Sequence, residues 1–240
     1  MLHNKHIILI SVFLLMTGCK DETILSFEEI NYPSESKANI EINIPKANGN
    51  ELLANTINSE IDYVIINELH IGDSDNITSN SIEESIHIFN KEYTDFMIDF
   101  PESAQIWEVQ IDGEVIFQSE EIISISITSY INTGGAHGNL HITLLNFDAL
   151  TGKRIPNGNL FNNIEAFMPI AKKYFYENIE DKNVLFKPDN FVLPVNFSYS
   201  LDGLLLLYNV YEIAPYSSGV IDFTIPFDEL TEVLVFDSSR

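Results

Sequence analysis

The groups in this 240-residue chain that could do chemistry are six histidines, one cysteine and 36 carboxylates. None of them falls in a nucleophile elbow, a zinc-binding H-E-x-x-H helix, a Walker loop or a dinucleotide fingerprint. His137 and His141 are four apart, a spacing that suits two ligands of one metal ion only along a helix. Here His137 belongs to a Gly-rich loop and His141 to the alternating segment behind it, so no metal, cofactor or catalytic residue is expected. The carboxylates are too numerous for one pair to be singled out for glycoside chemistry. Two loops carry the remaining signal. In Tyr130-Ile131-Asn132-Thr133-Gly134-Gly135-Ala136-His137-Gly138, the adjacent Gly134 and Gly135 allow positive φ and an unusual turn. His137 either holds that turn through backbone hydrogen bonds or is presented to a ligand. The second loop, Tyr208 to Gly219, joins two strong strands and is rich in tyrosine, which offers a large contact area at low entropic cost. Pro215 stiffens it. Tyr208 continues an apolar run and is expected in the core. Tyr211, Glu212, Pro215, Tyr216 and Ser217, with His137, Gly134 and Gly135, are the candidate ligand-binding residues.

The cysteine has a different role. Lys5, flanked by His3 and His6, precedes an apolar run from Ile7 to Met16 broken only by Ser11. The run falls short of the roughly 20 residues a bilayer span needs and suits the core of a signal peptide. Met16-Thr17-Gly18-Cys19 then has the form of a lipobox. Residues 1–18 are expected to be removed and Cys19 to carry lipid, which anchors a chain stably when two or more acyl chains are attached. A single cysteine excludes an intrachain disulfide. Lys20-Asp21-Glu22 resembles the lysine-plus-acidic tag behind the lipidated cysteine of surface-exported Bacteroidetes lipoproteins. The expected location is therefore the outer membrane, either cell-surface exposed or periplasm-facing. No later segment is long enough to span a membrane, the longest apolar run being Leu204 to Tyr208.

Twelve basic residues face the 36 acidic ones, for a net charge of -24. Loss of Lys5 with the leader makes the mature charge -25 (-24 minus one). Such a field repels nucleic acid and favours a basic partner, with an attraction that salt weakens. The apolar content of 45% excludes a disordered chain.

The elements that must position the two loops follow from hydrophobic period. Residues 19–37 are polar and acidic and read as a tether. Ala38 to Ile44 alternates as a half-buried strand that Pro45 ends. Leu53, Ile57, Ile61, Val64 and Ile65 share one helical face, and Ser81-Ile82-Glu83-Glu84 has capping-box spacing before a second amphipathic helix that stops at Pro101. Asp112-Gly113 between Ile106–Ile111 and Val115–Gln118 predicts a hairpin. Ile123, Ile125 and Ile127 alternate with Ser124, Ser126 and Thr128, and Leu140, Ile142 and Leu144 repeat the pattern. Pro169 is tolerated only in a first helical turn, so a third helix is expected from about residue 167. Leu201–Val210 and Val220–Ile225 read as late core strands, followed by a helical turn at Phe227–Leu230. This order predicts an α+β fold, with helices packed on one face of a curved antiparallel sheet. It divides into two closely packed subdomains, 38–118 and 119–236.

The loops, in order, resemble a known family. Tyr130 with Thr133-Gly134-Gly135-Ala136-His137, Asn146-Phe147-Asp148 with Thr151-Gly152-Lys153, Leu160-Phe161, and Tyr211-Glu212-Ile213-Ala214-Pro215-Tyr216 with Gly219 are similar to the C-terminal extracytoplasmic domain of RsiV-type proteins. Ile40–Pro45 with Asn55-Thr56-Ile57-Asn58 resembles the domain that usually precedes it. The resemblance spans roughly residues 38–235. It implies one α+β unit outside the cytoplasm. It also implies a binding role, since the best understood members are anti-sigma ectodomains that sense lysozyme by binding it. Their lysozyme-contacting loop corresponds to Pro215 and Tyr216. This chain lacks a sigma-binding segment, a transmembrane helix and a deacetylase domain, so signal relay by proteolysis does not carry over. The expectation is a non-enzymatic, lipid-anchored envelope protein that captures lysozyme, another basic protein or peptidoglycan. An envelope-glycan-processing enzyme and a purely structural lipoprotein are the alternatives.

Overall fold

The computed structural model describes residues 25–32, 37–73 and 76–236. Cys19, the leader before it and Lys20-Asp21-Glu22 lie outside the described residues. The elements run β1 (Ser26–Asn31), β2 (Asn39–Asn48), α1 (Glu51–Leu69), α2 (Ile82–Asp99), β3 (Glu108–Gln118), β4 (Ile122–Asn132), β5 (Asn139–Asp148), α3 (Ile164–Asn178), β6 (Asn196–Tyr199), β7 (Leu204–Tyr208) and β8 (Ile221–Ile225). The architecture is α+β, with curved, open sheets: a five-stranded sheet in the order β1-β2-β3-β4-β5 and a three-stranded sheet in the order β6-β7-β8.

Both predicted amphipathic helices form, and their caps explain where they start. The Asn50 side chain accepts from Leu52 and Leu53 N–H, and the Ser81 hydroxyl accepts from Glu84 N–H. Leu53, Ile57, Ile61 and Ile65 of α1 and Phe89 and Tyr93 of α2 pack with Ile42, Val109, Ile111, Ile125 and Ile127 into a first core. A second core gathers Phe167 and Phe175 of α3 with Phe197, Leu204, Leu206, Tyr208, Phe223 and Ile225.

Several boundaries differ from the sequence reading, each for a physical reason. Residues 26–31, expected in the tether, form β1, antiparallel to β2, with Phe27 packed against the first core and Leu25 buried. Asp112-Gly113 does not turn. It lies within the continuous strand β3, whose pairing with β2 is parallel, so the large sheet is mixed rather than purely antiparallel. A Cβ at Gly113 would stand 2.6 Å from Pro45 Cδ and 2.8 Å from Ile127 Cδ1, so the glycine serves close packing, not a turn. Pro45 does not end β2. The β2–β3 pairing stops at Asn43 opposite Asp112, so no β3 partner is required of the missing N–H. The five-stranded sheet is continuous through residue 118, because β4 pairs with β3 and β5 with β4, while Phe117 and Ile122 already pack with the second core. Helix α3 starts at Ile164, capped by Asn163, which places Pro169 inside it on an exposed face where water can meet the freed carbonyl.

The two sheets are joined through side-chain amides. Strand β5 is an edge of the large sheet. On its open side, Ile142 N–H donates to Asn209 Oδ1 (2.8 Å), while Ile142 O accepts from Asn209 Nδ2 (2.8 Å) and Asn196 Nδ2 (3.1 Å). Leu144 N–H donates to Asn196 Oδ1 (3.0 Å). One layer in, Asn146 Nδ2 donates to Phe197 O (2.7 Å) and its Oδ1 accepts from Ser124 (2.7 Å). A carboxamide presents a donor and an acceptor spaced like a peptide group, so it can finish a strand edge that no strand covers. Asn58 does the same for Ala47 of β2 (2.8 and 3.0 Å), beyond the point where β3 departs.

Candidate functional site

The fold brings the two singled-out loops together. The β4–β5 loop and the β7–β8 loop meet where the imidazole of His137 stacks on the ring of Tyr216, with centroids 3.8 Å apart and planes inclined 15°. Tyr211 completes the cluster, 5.7 Å from Tyr216 between centroids, with its hydroxyl 3.4 Å from His137 Nε2. Such aromatic pairs contribute about 0.5–1.5 kcal/mol beyond area burial. His137 Nδ1 bonds to Gly138 O (2.8 Å), so the histidine both holds its turn and stays exposed. Gly138 is required there, because a Cβ would meet the Tyr130 ring at 2.4 Å. Gly134 and Gly135 both take positive φ (115° and 101°). They shape the β4–β5 loop beside the cluster.

In the second loop, Glu212 N–H closes a turn onto Asn209 O (3.1 Å). Tyr211 is its third residue, at φ 66°, and it is the only non-glycine residue with positive φ among those described. Glycine or asparagine is usual at such a position, and a tyrosine there costs about 1–3 kcal/mol. The strained backbone leaves the Tyr211 side chain 56% exposed beside His137. Glu212 works on the backbone: Oε1 accepts from Val195 N–H (3.0 Å) and Oε2 from Asn209 N–H (2.9 Å). Pro215 and Ser217 are exposed at the tip, around the short helical turn Tyr216–Ser218. Tyr208 is buried as expected and donates to Val192 O (2.6 Å). Burial first, and then the Glu212 charge, hold its phenol well above the usual range.

His141 is not beside His137 in function. Its Nδ1 lies 2.6 Å from Glu68 Oε1, at the C-terminal end of α1, and Ser129 of β4 donates to Glu68 Oε2 (2.7 Å). The carboxylate is the middle member, so the hydroxyl is not directed at the imidazole as a nucleophile would be. The trio clamps α1 to the β4–β5 hairpin. Glu68 was not legible as part of any motif. Burial alone would raise its carboxyl, but the His141 and Ser129 hydrogen bonds outweigh that and leave it below the usual range. The bond to Glu68 raises His141 above the ordinary histidine value against the cost of burial, with the Glu68 and Glu212 charges adding to the rise.

The clamp predicts a pH dependence. A raised histidine stabilises fully below its unfolded value near 6.5 and loses that contribution as pH climbs through the folded value. The lowered Glu68 contributes above about 4.5 and loses as pH falls through its folded value. The pair should therefore stabilise most between these limits and fade at alkaline pH. Urea titrations read on Trp107, the only tryptophan, should give wild type an advantage over Glu68→Gln at pH 6. That advantage is about 0.5–1 kcal/mol for a part-exposed pair, and it should shrink by pH 9. An advantage constant from pH 6 to 9 would sink the clamp.

Among the described residues, no group of three or more histidine, cysteine or acidic side chains is placed to hold a metal, and no helix is long and apolar enough to cross a membrane. Residues 30–140 match the model of a family described as Deacetylase PdaC, and residues 156–228 match one described as a protein of unknown function, DUF3298. Among solved structures, a DUF3298 family member from Bacteroides fragilis is 20% identical. That match covers 90% of this chain and 96% of its own, with a TM-score of 0.71. A DUF3298 family protein from Pseudomonas aeruginosa PAO1 is 18% identical, with 88% and 94% covered and a TM-score of 0.59. At these identities the likeness is one of fold. No curated protein matches the chain in sequence.

Proposed function

We propose that this chain, whose fold is that of DUF3298-family structures, is a lipid-anchored envelope protein. In this reading it captures a basic protein, lysozyme first, through the surface formed by His137, Tyr211, Pro215, Tyr216 and Ser217. The observation that carries the reading is the stack of exposed His137 on half-buried Tyr216, which with exposed Tyr211 makes one aromatic platform out of two loops 74 residues apart at their closest hydrogen-bonding pair. Rigid aromatic side chains on loop tips are the usual anchors of protein recognition. The net charge of -24 would steer a basic partner toward it.

The position of Leu25, the described residue nearest Cys19 in sequence, supports the same reading. Leu25, held by Gln118 Nε2 through its carbonyl (2.8 Å), lies at the end of the sheet where β1 begins and β3 stops. Strand β4 runs eleven residues from that end to the His137 loop, a span of roughly 30–35 Å at ~3.3 Å per residue. In this reading a lipid on Cys19 would keep the Leu25 end toward an outer-membrane surface and the platform at the far end of the sheet. Calorimetry of the full chain in neutral detergent against lysozyme should give saturable heat at low salt that weakens as salt rises. Heat-silent mixing at low salt would overturn the lysozyme assignment.

A second reading rests on the family description of residues 30–140. An envelope-glycan deacetylase would release acetate from acetylated peptidoglycan fragments, and Glu68→Gln or His141→Gln would stop it. Release unaffected by either change would leave those residues with the clamp role alone.

A further inference from the structure

We infer that the groove beside the β7–β8 loop receives a lysine or arginine side chain of a partner. Phe175, Leu185, Phe186, Val192 and Ile213 give it apolar walls, and Glu212 adds a carboxylate to them. Its volume is about 270 Å³, below the roughly 300–1,000 Å³ of pockets that enclose whole small molecules, so it is of side-chain size. A long cationic side chain buries an aliphatic stem and keeps a charged head, which matches apolar walls with one acid among them. Glu212 is held in place by Val195 and Asn209 N–H groups, and among the described residues no lysine or arginine forms an ion pair with it. Phe186, in the groove wall, is 56% exposed and offers a ring face that attracts a guanidinium or ammonium group. The whole-chain charge of -24 adds long-range attraction for the same class of ligand. Lys187, exposed at the rim, is the local opponent.

The groove rests on the proposed capture of a basic partner for its biological role, but its chemistry is separable from the aromatic platform. The test is a methyl-detected NMR titration of the full chain in neutral detergent with N-acetyl-arginine amide and with its neutral isostere, N-acetyl-citrulline amide. Leu185, Val192 and Ile213 methyl signals should shift with the arginine compound and respond about fivefold more weakly to citrulline, the weight of a part-exposed ion pair. Lys187→Gln should tighten the arginine response. Val192→Arg, at a position 45% exposed and so safe for folding, should abolish it by filling the groove with its own cation. His137→Ala with Tyr216→Ala should leave this titration unchanged even though lysozyme binding is lost. Equal responses to the two compounds, or shifts that spare these three methyl groups, would overturn the assignment.

Discussion

Asn196→Leu is expected to lower the folding free energy by about 3 kcal/mol, the largest stability change among single substitutions outside the two apolar cores. Asn196 is 5% exposed, and its carboxamide satisfies both Leu144 N–H and Ile142 O on the open side of β5. Leucine has nearly the same shape but no polar atoms, so a buried donor loses its partner and a part-buried acceptor loses one of two. Each such loss costs about 1–3 kcal/mol. Asn209 still reaches Ile142 O, which keeps the total near the lower end. The urea midpoint should fall while the denaturant slope stays constant, because the change acts on the folded state alone. A shift below about 0.5 kcal/mol, the scale of an ordinary surface substitution, would mean the amide join contributes nothing.

Pro215→Ala combined with Tyr216→Ala should weaken lysozyme binding by about 2–3 kcal/mol, or thirtyfold and more, the range of interface anchors. Two effects add. The tyrosine ring is lost from the contact, and His137 loses the ring stacked 3.8 Å away, so its exposed imidazole no longer has a fixed orientation. Proline removal also restores backbone freedom at the tip, which binding must then suppress. Glu108→Gln removes a charge from the first residue of β3, opposite Asn132 at the same end of the sheet. It should cost no more than about fivefold, mainly through slower association.

The helices, the capping residue Ser81 and the isoleucine face of β4 were legible because each rests on local period or a short capping motif. Both loops of the platform were legible too, from adjacent glycines and from tyrosines grouped around Pro215. Their meeting was not, since it depends on how the β6–β8 sheet docks on β5. Strand β6 left no apolar run in the sequence, because Asn196 and Ser198 fill two of its four positions with polar side chains that are buried and hydrogen-bonded. Asp112-Gly113 misled for the opposite reason: a turn dipeptide was used for close approach within a strand. Glu68 carried no signal at all, because its partners Ser129 and His141 come from two strands more than 60 residues away. Long-range pairing of polar groups leaves no period in a sequence, and it is the kind of contact that joins the two sheets here.

The central claim is that the His137 loop and the Tyr211–Gly219 loop act as one recognition surface. A double-mutant cycle in lysozyme calorimetry tests it most directly, with His137→Ala, Tyr216→Ala and the two combined in the full chain. If the stacked rings act as a unit, each single change should cost nearly as much as both together, with a coupling of about 1 kcal/mol or more. Strictly additive losses, or a His137→Ala variant that binds like wild type, would contradict it.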